Sequence, residues 1–289
     1  MTPRFAHFVV ADWSGALGPR QKGIAIALCE PGQAAPTLVR PGHVWSRAEV
    51  LEWLTSELPT NSLVGLDLSP GLPFVDADGY FPGWHDSPAD ARALWALVDQ
   101  ISANDPHFSV PSFVDHPTAS RYFRRHGGRT GDRFGGKRSG RLRLVEHRQR
   151  EQQLSPYSCL NLIGAAQVGK SSLTAMRLLH RLDGHLPIWP FDPVPATGSL
   201  LVEIYTSLAA RSAGLGKGRS KMRSARALDD ALAELGTCPH VPLRSYDDHA
   251  TDAILTAAWL RANADRPELW NPVGLDSVKD TEGWTFGVA

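Results

Sequence analysis

Apolar runs and the turns between them divide the chain into elements. Phe5 to Asp12 (FAHFVVAD) is a short apolar run ending on an acid, the pattern of a buried strand. After a Gly/Pro turn, Lys22 to Leu28 (KGIAIAL) predicts a second strand and Thr37 to Arg40 a third. The period changes at Ser46 to Leu58. Ser46 stands as a cap with Glu49 three residues on, and Val50, Leu51, Trp53 and Leu54 follow at helical spacing. Ser62 to Leu68 (SLVGLDL) returns to a strand, again with one acid near its end. The order so far is β-β-β-α-β.

Beyond Ser69-Pro-Gly-Leu-Pro73 the regularity is lost. Residues 74–160 are rich in Gly, Pro, Arg and aromatics and contain one clear helix, Ala89 to Ser102. They read as an insertion or cap within a single domain spanning 1–289. The core resumes with a helix over Ser171 to Leu182 and a strand over Leu200 to Tyr205 (LLVEIY). Helices over Ser220 to Leu235 and Asp247 to Ala262 follow, and Glu282 to Val288 closes the chain as a short strand. Together these elements predict an α/β protein built on a mixed sheet, three antiparallel strands and then parallel ones, flanked by helices.

Composition removes several classes of function. Thirty basic and thirty acidic side chains leave no global attraction to nucleic acid or membrane, so a polyanion site has to come from local clustering. No apolar run is long enough for a membrane span. The first residues enter a strand without a signal-peptide pattern, and Cys29, Cys159 and Cys238 are too scattered for a disulfide framework or a metal cluster. A cytoplasmic protein is the expectation.

The candidate chemistry lies in carboxylates. Asp12, Asp67 and Glu203 each sit inside or at the end of an apolar strand, and an ionised carboxylate there is costly unless it is paired or bound to a metal. In Ser245 to Ala258, Asp248 or His249 and Asp252 lie three or four residues apart and share one helix face. Ala253, Ile254, Ala257 and Ala258 give that helix a small apolar surface for packing close to a sheet. Hard oxygen donors from several elements suit Mg²⁺ or Mn²⁺ better than zinc. An Asp-rich helix cap explains Asp247 equally well but leaves the strand acids unexplained.

These pieces resemble the ribonuclease H-like superfamily. Asp12 in VVADWSG and Asp67 in VGLDLSPGLP match its acids on the first and fourth strands, and His249-Ala-Thr-Asp252-Ala looks like the last helix of the resolvase branch. More closely, D-W-S-G, G-L-D-L-S-P-G-L-P, V-E-I-Y, D-H-A-T-D-A and the terminal E-G-W-T-F-G-V are similar to the family known as domain of unknown function 429, whose members look like predicted nucleases. Thr206 departs from that pattern, since the family often has Pro there. The resemblance implies metal-assisted phosphodiester hydrolysis with Mg²⁺ or Mn²⁺. It implies Asp12 as the residue bridging the ions, with Asp67, Asp248 and Asp252 as further metal candidates. Glu203 is then a ligand or a water-positioning base, and His249 a ligand or a proton carrier. Resolvase-like relatives act as dimers, so a homodimer is a further expectation.

Two other features bear on phosphate. Arg121 to Arg150 holds eleven Arg or Lys against Asp132 and Glu146, interleaved with Tyr122, Phe123 and Phe134. Such a segment either tracks a phosphate backbone and stacks on bases or is a solvated loop. Arg124, Arg125, Arg129, Arg133, Lys137 and Arg138 are its candidate substrate contacts, for a nucleic acid or a phosphate ester. Gly164 to Ser171 (GAAQVGKS) fits the phosphate-loop string G-x-x-x-x-G-K-[ST]. It has no extra Gly at its variable positions and comes late in the fold, so a packing turn that brings Lys170 to a substrate phosphate is favoured over an NTPase loop. A P-loop or actin-like ATPase and a non-catalytic nucleic-acid binder are the alternatives.

Overall fold

A computed structural model of the chain describes residues 4–135, 140–163, 168–216 and 221–289. In chain order its elements are β1 (His7–Asp12), β2 (Ala25–Cys29), β3 (Thr37–Leu38), α1 (Arg47–Ser56), β4 (Ser62–Leu66), α2 (Ala91–Ile101), α3 (Pro111–Val114) and α4 (Leu144–Glu151). They continue with α5 (Val168–Leu182), β5 (Ile188–Trp189), β6 (Leu200–Glu203), α6 (Thr206–Ser212), α7 (Ala225–Glu234) and α8 (Asp248–Asn263). The six strands form one mixed sheet in the order β3-β2-β1-β4-β6-β5. β1 to β3 are antiparallel, while β4, β6 and β5 extend the other side of β1 in parallel. No helix among the described residues is long and apolar enough to cross a membrane.

The pleat sorts side chains between two cores. Val9 and Ala11 of β1 and Val64 and Leu66 of β4 face α1, α2 and α5, where Val50, Trp95 and Leu178 meet them. Phe8 and Val10 of β1 and Leu63 of β4 face α6, α7 and α8. The small residues Ala253, Ala257 and Ala258 let α8 lie close against β1 and β2. Asp12 and Asp67 continue the phase of Val10 and Leu63, so both belong to the α8 face. Glu203 continues the phase of Leu201, which faces the other core.

Local signals held where an apolar stripe or a cap carried them. Ser46 accepts from the Glu49 amide at 3.1 Å and the Glu49 carboxylate accepts from the Ser46 amide at 2.7 Å, a complete capping box. α4 lies within the stretch expected to be a basic loop, because its buried residues are Val145, Glu146 and Gln149 and polar burial leaves no stripe to read. The expected closing strand is reduced to a single bridge between Thr285 and Glu203. Gly283 and Gly287, at φ 70° and 93°, turn the chain out of extended conformation on either side of it. The insertion is not a separate layer: Tyr80, Phe81, Phe113, Phe123 and Phe134 join the core that covers the α5 face of the sheet.

Two glycines fix how α5 meets the sheet. A Cβ on Gly15, in the loop after β1, would stand 2.4 Å from the Ser171 amide nitrogen and 2.6 Å from the Lys170 carbonyl carbon. A Cβ on Gly169 would stand 2.3 Å from the Cys159 carbonyl oxygen. The first turn of α5 is therefore held backbone to backbone between two chain segments. We expect Gly169→Ala to cost about 1–3 kcal/mol, as an overpacked site with a rigid neighbour. Gly216→Ala, where nothing lies within 4 Å, should be close to neutral. Urea denaturation of both variants measures the difference.

Candidate functional site

Parallel pairing brings the first two acids together. Ala11 is in register with Leu66, so Asp12 and Asp67 are neighbours one step on, and the Asp67 amide donates to the Ala11 carbonyl at 3.1 Å. With adjacent strands roughly 4.8 Å apart, two carboxylates meet on one face. α8 adds His249 and Asp252 from its first turns. Its start is set by Asp247, whose side chain accepts from the Ala250 amide at 2.9 Å. His249 Nδ1 lies 2.7 Å from Asp12 Oδ2.

The electrostatics are those of an under-compensated acidic cluster. Burial pushes Asp12 up from the ordinary carboxylate range, and the His249 hydrogen bond works against that rise. Burial also raises Asp67 well above its ordinary value, reinforced by the charges of Asp12, Asp252 and Glu203. Asp252 is pushed up to about 7 by burial, then by Asp12 and Asp248. The hydrogen bond to Asp12 holds His249 above its ordinary value. Among the described residues no group of three or more His, Cys, Asp or Glu stands with the spacing to hold a metal ion.

Glu203 sits beside this cluster in a different state. Arg143 donates to both its oxygens, at 2.6 and 2.8 Å, and Thr285 Oγ1 donates at 2.7 Å. The same guanidinium donates to Ser69 Oγ, the Glu282 carbonyl and Glu146 Oε1. Its five donors are all taken at 1% side-chain exposure. Glu203 therefore ties α4 and the C-terminal segment to the strand ends. A free ligand or base, as expected for it, would have to leave this fork. Asp248 also turns away from the cluster, toward Lys221 Nζ at 2.7 Å and Arg223 at 3.0 Å.

A cavity of about 500 Å³ opens beside Asp67, while Asp12 and Asp252 are not among its lining residues. Asp67, Glu203 and His249 line it together with Trp13, Tyr157 and Tyr205. Arg143, Tyr157 and Tyr205 escaped the sequence reading. An Arg beside an acid-bearing helix start (Arg143 to Glu146) is the one local signal that pointed to the first.

Comparison with protein-family models, curated proteins and solved structures finds no match for this chain. Its chemistry has to be read from the site itself.

The basic segment is mostly committed to the fold. Arg121 pairs with Asp132, Arg125 and Arg129 share Asp115, and Arg133 donates to the Pro82 carbonyl. Tyr122, Phe123 and Phe134 are buried, which removes them as stacking surfaces for bases. Arg124 pairs through its backbone with Thr130 and Asn161. Lys137 and Arg138 lie outside the described residues. In the phosphate-loop string, Gly164 to Gln167 also lie outside them. Val168 and Gly169 are already helical, and the Gly169 amide donates to the Asn161 carbonyl at 3.3 Å. That amide is not free to cradle a phosphate. Lys170 and Ser171 reach the surface of two adjoining cavities.

Two outcomes follow. Arg143→Met leaves Glu203 and Glu146 buried without their cation and should cost about 3–5 kcal/mol, read as a shift in denaturation midpoint. Asp252 has a folded value of about 7 against an ordinary 3.8. A raised folded value means the stability it allows is complete below the unfolded value and is lost as pH rises through about 7. The melting temperature should therefore fall from pH 5 to pH 8 in the absence of divalent ions, and Asp252→Asn should flatten that fall.

Proposed function

We propose that this chain is a divalent-metal-dependent phosphodiesterase, a nuclease of the ribonuclease H-like type. The observation that carries the reading is the meeting of Asp12, Asp67 and Asp252 on one face, each raised by burial, with Asp67 and Asp252 raised further by the charge of neighbouring carboxylates. A cluster of this kind is stable in the ionised form only with positive charge among its members. The sheet order, with acids ending the first and fourth strands and a further acid on the last helix, agrees with what the sequence resemblance implies.

The donor set fits Mg²⁺ or Mn²⁺ in chemistry. It consists of carboxylate oxygens with one imidazole and no thiolate, the hard set these ions prefer. Asp12, Asp67 and Asp252 would hold the ions, which supply Lewis acidity and a water of lowered pKa. The remaining roles belong to the chain. His249 Nδ1 is fixed on Asp12, which leaves Nε2 to hold or move a proton at the cavity mouth. Arg143 keeps Glu203 neutralised and so limits the negative charge that Asp67 feels from the next strand. Trp13 is anchored by its indole N–H on Thr174 Oγ1 at 3.1 Å and walls the cavity on the α5 side.

Calorimetric titration with Mn²⁺ should show saturable binding that Asp12→Asn removes, together with any cation-dependent cleavage of DNA or RNA. Full cleavage by Asp12→Asn, or no cation binding by the wild type, would sink the assignment. Protons compete for the same carboxylates, so apparent Mn²⁺ affinity should rise between pH 6 and 8, by up to about tenfold per unit where a single proton is displaced.

A further inference from the structure

The loop that follows β1 separates two regions of opposite charge. On its α8 side stand the acids. On its other side Gly15 also borders a second cavity, of about 150 Å³, between α3, the turn at 125–129 and the first turns of α5. Its lining has Arg125, Arg129 and Lys170 against the single carboxylate of Asp115, a surplus of two positive charges among its Arg, Lys and Asp side chains.

Two of the lining side chains carry donors without a protein acceptor among the described residues. Arg125 Nε is buried and has no hydrogen-bond partner, although Nη1 of the same side chain reaches Asp115 at 2.6 Å. A buried guanidinium N–H left unpaired costs free energy and calls for a partner. Lys170 has no carboxylate partner among the described residues, and burial lowers its pKa from the ordinary lysine value. Leu17, Val110, Pro111, Val114 and Leu162 make much of the remaining wall apolar, with Ser109 and Thr174 as polar members, and a low-dielectric wall strengthens attraction for an anion. Behind the loop Arg47, buried, donates to the Ser14, Ala16 and His107 carbonyls with no acid beside it, adding to the positive field.

We propose that this cavity is a binding site for a phosphate dianion, held by Lys170, Arg125 and Arg129. The charge surplus matches a phosphate monoester, which carries close to two negative charges at neutral pH. The volume is below the roughly 300 Å³ at which pockets begin to take drug-sized ligands, so a single phosphate group fits and a nucleoside does not. Guanidinium forks and a compact ammonium are the donors that phosphate groups attract. Resting on the phosphodiesterase reading, the phosphate is the terminal monoester of a substrate whose neighbouring diester lies over the acids across Gly15. The site itself also suits free inorganic phosphate.

The test titrates inorganic phosphate into wild type, Lys170→Met, Arg129→Gln and Asp12→Asn, each checked for an unchanged melting transition. Saturable binding is expected, weakened about tenfold or more by Lys170→Met and by Arg129→Gln, a loss of about 1.4 kcal/mol or more. It should be unchanged in Asp12→Asn. A second arm compares a single-stranded oligonucleotide bearing a terminal phosphate with the same strand ending in a hydroxyl, with divalent ions chelated. A preference for the phosphorylated end that Lys170→Met abolishes assigns the site to the substrate. Equal binding of the two strands, with inorganic phosphate still bound, assigns it to the free ion. No phosphate binding by the wild type, or binding that both basic-residue variants leave intact, overturns the site. Cation-dependent cleavage that persists in that case would leave the phosphodiesterase reading standing, whereas its loss in Asp12→Asn with phosphate binding intact separates the two.

Discussion

Three neighbouring parallel strands, β1, β4 and β6, end in Asp12, Asp67 and Glu203, and the chain places a buried cation beside only one of them. Arg143 takes both oxygens of Glu203, while Asp12 has an imidazole. Asp67, between them in the sheet, has no side-chain partner among the described residues. Much of the surrounding architecture follows from that imbalance. α4 is anchored by Arg143 at its cap, and Glu282 accepts from the Phe74, Val75 and Leu144 amides, binding the insertion and the C-terminal segment to the strand ends. These buried charges are fully bonded and so fix a geometry. Asp12 and Asp67 on the α8 face have hydrogen-bond partners but, among the described residues, no arginine or lysine beside them, an arrangement that leaves their negative charge under-compensated.

The string that looks like a nucleotide-binding loop has a packing explanation. A phosphate loop needs glycines so that amides can turn toward a ligand. Here Gly169 is small because the Cys159 carbonyl oxygen occupies the space a Cβ would need, and Gly15 is small because the backbone of Lys170 and Ser171 does. Ser171 Oγ accepts from the Gly15 amide at 3.1 Å, and Ser172 Oγ donates to the Val168 carbonyl at 2.8 Å. The first hydroxyl serves the contact between loop and helix, and the second is bonded within the helix itself. The same letters would be selected by either function, and only the neighbours of the glycines distinguish them.

This also marks what was legible in the residues alone. The sheet and the capping box at Ser46 were readable because apolar phase and helix spacing encode them directly, whereas the expectation that Asp12 shares a site with α8 came from the motif resemblance. The split between Asp67 and Glu203 was not. Both are single acids in apolar strands, and their difference lies in an arginine sixty positions before Glu203 whose approach depends on an irregular insertion. The aromatics of that insertion were legible as aromatics but not as core, because no period orders Tyr80, Phe81, Phe113 and Phe123 along the chain. Asp248 and Asp252 share a helix and differ in what faces them: Lys221 and Arg223 claim the first, and the strand acids surround the second.

The charge layout constrains how any phosphate-bearing molecule approaches. An acidic cluster without its cation repels phosphate, so a substrate has no electrostatic reason to settle over Asp12 and Asp67 alone. The surplus of positive charge across Gly15 supplies that reason, because field lines from Lys170 and the arginine pair end on the first anion to arrive. The loop between the two regions is tied by side-chain hydrogen bonds: Arg47 donates to the Ser14 and Ala16 carbonyls, and Ser171 accepts from the Gly15 amide. Under the proposal, this loop is the spacer between a phosphate in the basic cavity and the acids. On the proposed reading, the separation of the two regions rather than base contacts selects the bond presented to the acids, since the aromatics nearest the basic residues are already buried in the core.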